Sequence, residues 1–152
     1  ETTVVSYLTA RASRDVIIAG HQQVTHEWWD TRRSDYELCV SQLVLDEAGA
    51  GDIQAAQERL ALLYPMLVLE TTEAALDIAK GLIHAGALPT KAADDALHIA
   101  IAASKAIPFL LTWNCRHLAN AAMRPVIEEV CGTSGFRAPI ICTPEELLGA
   151  EP

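Results

Sequence analysis

Short apolar runs of extended character are separated along this chain by longer stretches in which apolar residues recur at helical spacing. The segment from Thr2 to Leu8 mixes β-branched and aromatic residues, which predicts a first strand leading into a turn. An amphipathic helix follows over Ser13 to Arg33, with Ser13 as N-cap and Val16, Ile17, Val24, Trp28 and Trp29 as its apolar positions. Tyr36 to Val40 reads as a second strand. Ser41 then caps a short helix that carries Leu43, Val44 and Glu47 and ends at Gly49 and Gly51. Residues 53–63 keep helical periodicity up to Pro65, after which MLVLE reads as a third strand. Thr72 caps a helix to Ala85, closed by Gly86, and Pro89 and Thr90 open the next, which runs through Ala103. FLLT at 109–112 is a fourth strand, Arg116 to Val130 a helix, Pro139 to Cys142 a short strand, and Thr143, Pro144 and Glu145 begin a terminal helix.

Strands that alternate with helices predict an α/β fold with a central parallel sheet covered on both faces. Ligands of such sheets bind beyond the carboxyl ends of the strands. No repeat, linker or low-complexity tract divides the chain, so its 152 residues predict a single domain, 1–152. With 51% hydrophobic and 20% charged residues it is expected to be globular, and its apolar runs are too short to span a bilayer. Neither GxGxxG nor GxxxxGK is present, which leaves dinucleotide and P-loop readings without support.

Net charge changes the picture. Eleven Lys and Arg against twenty Asp and Glu give −9, so a polyanion must be held locally rather than over a broad basic surface. Arg11, Arg14, Arg32, Arg33, Arg116 and Arg124 are the candidates, and a homodimer would pool them. The four cysteines (Cys39, Cys115, Cys131, Cys142) form no CxxC pair and read as reduced thiols, most of them buried. Together with a first segment lacking the basic and apolar blocks of a signal peptide, they predict a cytoplasmic protein with no membrane segment. The chain as given is expected to begin inside its first strand. Cys115 and His117 make at most half a zinc site, since nothing supplies the other ligands at finger spacing.

Four residues stand where apolar segments start or stop: Glu1, Glu47, Asp95 and Asn114. A fold that gathers such ends clusters hard oxygen ligands around a divalent metal, which is the chemistry of phosphoryl transfer. Each also has an ordinary reading. Glu1 and Glu47 could be solvated acids, with Asp46 beside the latter, and Asp94 and Asp95 are both favoured in a first helical turn by the macrodipole. Asp95, however, leads into a nearly all-apolar helix whose one polar member is His98, itself either a hydrogen-bonded core residue or a ligand. Asn114 is a natural turn former, with Thr112 close by in sequence. Arg116 and His117 could meet a phosphate or simply begin the next helix. Of Trp28 and Trp29, one is expected in the core and the other exposed, suited to a protein interface or to base stacking.

The blocks ETTVVSYL, LVLDEAGAGD, ADDALHIAIA and LLTWNCRHLAN, in that order and at these spacings, resemble the four signature blocks of the PIN-domain ribonucleases. The nearest likeness is to the small bacterial VapC-like toxins of type II toxin–antitoxin pairs, and it runs from Glu1 to about Leu148. The resemblance implies a three-layer α/β/α domain and a Mg²⁺- or Mn²⁺-dependent endoribonuclease. Glu1, Glu47 and Asp95 would be metal ligands, with Asn114 in the fourth place; Thr2, Thr112 and Arg116 would bind substrate. It also implies RNA as substrate, a cognate antitoxin protein as partner, and a homodimer. Two positions depart from the pattern: Glu1 stands where the family usually has an aspartate, and Asn114 removes a charge that is often present. A weakened PIN-fold module that only binds a protein is the alternative, and a phosphatase of small esters ranks below both.

Overall fold

The protein is described by a computed structural model over residues 1–149. It is a mixed α/β structure, mainly helical, with short parallel strands in two small sheets. Strand β1 (Cys39–Ser41) pairs with β2 (Leu67–Leu69), and β3 (Phe109–Leu111) pairs with β4 (Ile140–Cys142). Among the described residues the strands thus form two pairs, each strand three residues long.

The chain divides into two compact units that interleave in sequence. The first comprises Glu1–Val68, Leu111–Trp113 and the described part of Cys142–Pro152; the second comprises Leu69–Leu110 and Asn114–Ile141.

In the first unit the opening segment is a helix, α1 (Thr2–Thr9), where the β-branched run predicted a strand. Burial decides the outcome: a helical turn presents Val4 and Val5 inward, and Val5 packs with Val40, Val44, Ala48 and Leu63. Propensity is worth only tenths of a kcal/mol per residue, against about 1.5–3 kcal/mol for burying a valine-sized side chain. Helix α2 (Val16–Thr31) is capped by Asp15, not Ser13; one Asp15 carboxylate oxygen accepts from the amides of Ile17 and Ile18 at 2.9 and 3.1 Å. Its far end buries Trp28 against Cys142 and Leu147, the latter on α8 (Pro144–Leu148). Trp29 stays half-buried, with the Arg33 guanidinium 4.7 Å from its ring centre. Helices α3 (Gln42–Ala48) and α4 (Ile53–Leu63) follow the sequence expectation, with Ser41 and Asp52 as caps. Arg59 reaches back from α4 to the carbonyls of Ala48 and Ala50 at 2.8 and 2.7 Å and fixes the loop between the two helices.

The core of the second unit is α5 (Glu73–His84) against α6 (Ala93–Ser104), built from Ile78, Leu82, Leu88, Ile99 and Ile101 with Leu118, Ile127 and Ile141. Helix α6 is buried almost continuously from Ala96 to Ala103, as its composition implies. Helix α7 begins only at Arg124 (Arg124–Thr133), eight residues later than the periodicity suggested. Pro125 explains the shift, because proline is tolerated in a first turn and breaks a helix interior. Residues 115–123 form turns instead.

Three helices of this unit end in the same way. After α5, Ala87 N–H reaches Leu82 O and Gly86 N–H reaches Ile83 O, the pairing of a Schellman stop. Ile107 and Ala106 repeat it after α6, and Phe136 and Gly135 after α7. The left-handed residue is glycine in two cases, Gly86 at φ 72° and Gly135 at φ 83°, but alanine in the third, Ala106 at φ 54°.

Candidate functional site

Of the residues singled out in the sequence, Glu1, Thr2, Glu47 and Thr112 lie together in the first unit, and Asp95 and Asn114 in the second. In the first unit the α1 N-terminus brings Glu1, Thr2 and Thr3 together with Glu47 from the last turn of α3. The Thr2 hydroxyl donates to Glu47 Oε2. Glu1 Oε2 accepts from the hydroxyls of Thr3 at 2.6 Å and Thr112 at 2.8 Å. A carboxylate oxygen of Glu1 and one of Glu47 lie within 4.8 Å of each other. The segment 111–113 is clasped to the same helix end, since Glu1 N donates to Leu111 O at 3.0 Å and Trp113 N to Thr3 Oγ1 at 2.9 Å. Thr112 is fully enclosed, and Trp113 is anchored below it by an indole N–H bond of 2.7 Å to buried Thr25. The Trp113 ring also stacks on His21, with centres 4.1 Å apart.

This donor set fits a hard divalent cation. Two carboxylates with oxygens within 4.8 Å of each other, each accepting from a threonine hydroxyl, are the hard oxygen donors that such a cation takes. The helical start of α1 matters here. It directs Thr2 and Thr3, successive residues about 100° apart, to two different acids.

In the second unit Asp95 occupies the first turn of α6, where the helix dipole favours an acid. Its two oxygens have different partners. Oδ1 accepts from Asn114 Nδ2 at 2.9 Å, and Oδ2 lies 2.8 Å from His117 Nδ1. Asn114 Oδ1 in turn accepts from the backbone N–H of His117 at 3.1 Å. Asn114 thus forms the turn that its residue type suggested and orients Asp95 at the same time. Asp94, next to it, is exposed, and His98, one turn on, is buried. Sequence reasoning missed the role of His117, for its only signal was a histidine three residues after Asn114, a spacing that gains meaning once 115–123 is a turn.

A cavity of about 390 Å³ opens beside this group. The stop after α5 supplies Ala87 and Leu88, the turn segment supplies Arg116 and His117, and Thr90 and Met123 complete the wall. Arg116 is exposed, and its guanidinium makes no hydrogen bond or ion pair among the described residues.

The cysteines are unpaired: Cys131 and Cys142 are buried, Cys39 is half-buried and Cys115 is exposed. Burial pushes the thiols of Cys39 and Cys131 above their ordinary value, helped at Cys39 by the charge of Glu37. None of the described helices is long and apolar enough to cross a membrane. No family model, no curated protein and no solved structure matches the chain.

Proposed function

We propose that the protein is a metal-dependent endoribonuclease of the PIN type. One observation carries this reading: the first signature block bonds to the second through Thr2 and Glu47, and the third bonds to the fourth through Asp95 and Asn114. Blocks unrelated in function have no reason to pair by their acids. Glu1, Glu47 and Asp95 would hold Mg²⁺ or Mn²⁺, which when bound supplies an activated water and neutralises charge on the scissile phosphate. Thr2, Thr3 and Thr112 orient the two glutamates, while Asn114 and His117 orient Asp95. Arg116 provides positive charge for the RNA backbone, the local contact that a chain of net charge −9 requires. In this reading the domain is a three-layer PIN-like fold, the protein works in the cytoplasm as a homodimer, and a small antitoxin protein restrains it.

The test is cleavage of a single-stranded RNA with Mn²⁺ or Mg²⁺, with EDTA as control, for the wild type, Glu47→Gln and Asp95→Asn. Metal-dependent cleavage lost by at least about 100-fold in both variants is expected, an effect of about 2.7 kcal/mol on the barrier. Cleavage that survives either substitution assigns the activity elsewhere. A wild type that neither cleaves RNA nor binds Mn²⁺ favours the other reading, a protein-binding module with a weakened site, for which the uncharged Asn114 is the specific observation.

A further inference from the structure

We infer that the cavity of the second unit is a nucleotide subsite: it takes one nucleotide of single-stranded RNA, the phosphate at Arg116 and the base against Leu88, Met123 and the His117 ring. The inference rests on the endoribonuclease reading for the polymer it names, and on the cavity alone for the chemistry.

Size comes first. About 390 Å³ falls at the small end of ligand pockets, room for one unit of a chain rather than a duplex. The wall is divided in kind. Leu88, 2% exposed, and Met123 are apolar members of the lining, whereas Arg116 and Thr90 are exposed polar ones. A base is a flat apolar body with polar edges and a phosphate is a compact anion, so the division matches one nucleotide better than a purely apolar or purely anionic ligand.

Charge selects the anion. Arg116 has no partner among the described residues, in a chain where acids outnumber bases twenty to eleven. A guanidinium left unpaired in so acidic a molecule, in the lining of a cavity, suits bidentate binding of phosphate.

Rigidity selects the base. The His117 ring is held by Asp95 at one nitrogen, and its backbone is held by Asn114, so the ring's face is fixed rather than rotating. A fixed aromatic face is what a splayed-out base stacks on, worth about 1–3 kcal/mol per base. The Thr90 hydroxyl, which has no partner among the described residues, can bond the base edge. The same residue pair, Asp95 and His117, would thereby join the subsite to the acid that the proposed chemistry needs.

The experiment is titration of the intact protein with uridine 5′-monophosphate, uridine and inorganic phosphate in EDTA, followed by NMR shifts of residues 86–90 and 115–123. Uridine monophosphate should bind at least about tenfold more tightly than uridine or phosphate alone, a difference of about 1.4 kcal/mol. Arg116→Gln should weaken it by at least about tenfold and Arg116→Lys by less, while Arg137→Gln, exposed elsewhere on the unit, should leave it unchanged. Equal binding of phosphate and uridine monophosphate overturns the base subsite, and equal binding in Arg116→Gln overturns the phosphate contact. RNA cleavage without uridine monophosphate binding sinks the subsite and leaves the nuclease reading standing. Binding without cleavage supports the subsite and counts only against the nuclease reading.

Discussion

Asp95 and His117 are joined at 2.8 Å across a sequence separation of 22 residues, and the bond fixes both the carboxylate and the imidazole. If Asp95 serves a metal, His117 acts on it from behind, as the outer partners of metal-binding groups do. Replacing His117 by Ala should lower Mn²⁺ affinity and RNA cleavage by about 10–100-fold. The fold should lose only about 1 kcal/mol, since the pair is partly solvated at 21% and 17% side-chain exposure. Calorimetry with Mn²⁺ separates the two effects. Unchanged affinity in a folded variant would detach the pair from the chemistry.

Asn114 donates to Asp95 at 2.9 Å, so Asn114→Asp turns a hydrogen bond into two carboxylates in contact. Without metal the variant should be less stable at pH 7 by about 1–3 kcal/mol, the cost of losing the donor and leaving like charges together. Saturating Mn²⁺ should reverse their order if the position faces the ion. Urea melts with and without Mn²⁺ test both steps.

Ala106 occupies at φ 54° the position that glycine takes after α5 and α7. A left-handed alanine costs about 1–2 kcal/mol, of which glycine's greater freedom in the unfolded chain returns about half. Ala106→Gly should therefore stabilise the protein by about 0.5–1 kcal/mol, with no effect on metal or nucleotide binding. A lower melting temperature would show that the methyl group packs well enough to offset the strain.

Most helices and all four strands were legible in the sequence, because caps such as Ser41, Thr72 and Thr143 sit beside clear periodicity. Two elements were not. Thr2–Thr9 carries a strand-like composition, and only the burial of Val4 and Val5 makes it a helix. The start of α7 followed the apolar period back past Pro125, although proline marks where a helix can begin. The site was legible as residue types at segment ends. Its pairing was not: that Thr2 meets Glu47, and that Asn114 turns its amide towards Asp95, depends on contacts 45 and 19 residues apart that no local pattern encodes. The division into two strand pairs was equally hidden, since each strand is only three residues long and nothing in such a segment specifies its neighbour.

The interleaving of the two units bears on how the chain comes off the ribosome. Thr25 stands 88 residues ahead of the Trp113 indole whose N–H it accepts, and Trp28 further still ahead of Cys142 and Leu147. Residues 1–68 therefore emerge before the partners that cover Trp28, and most of the second unit is synthesised in between. The first unit gains residues 111–113 and those from Cys142 on only after most of the second has been made. No single cut in the polypeptide releases either unit whole.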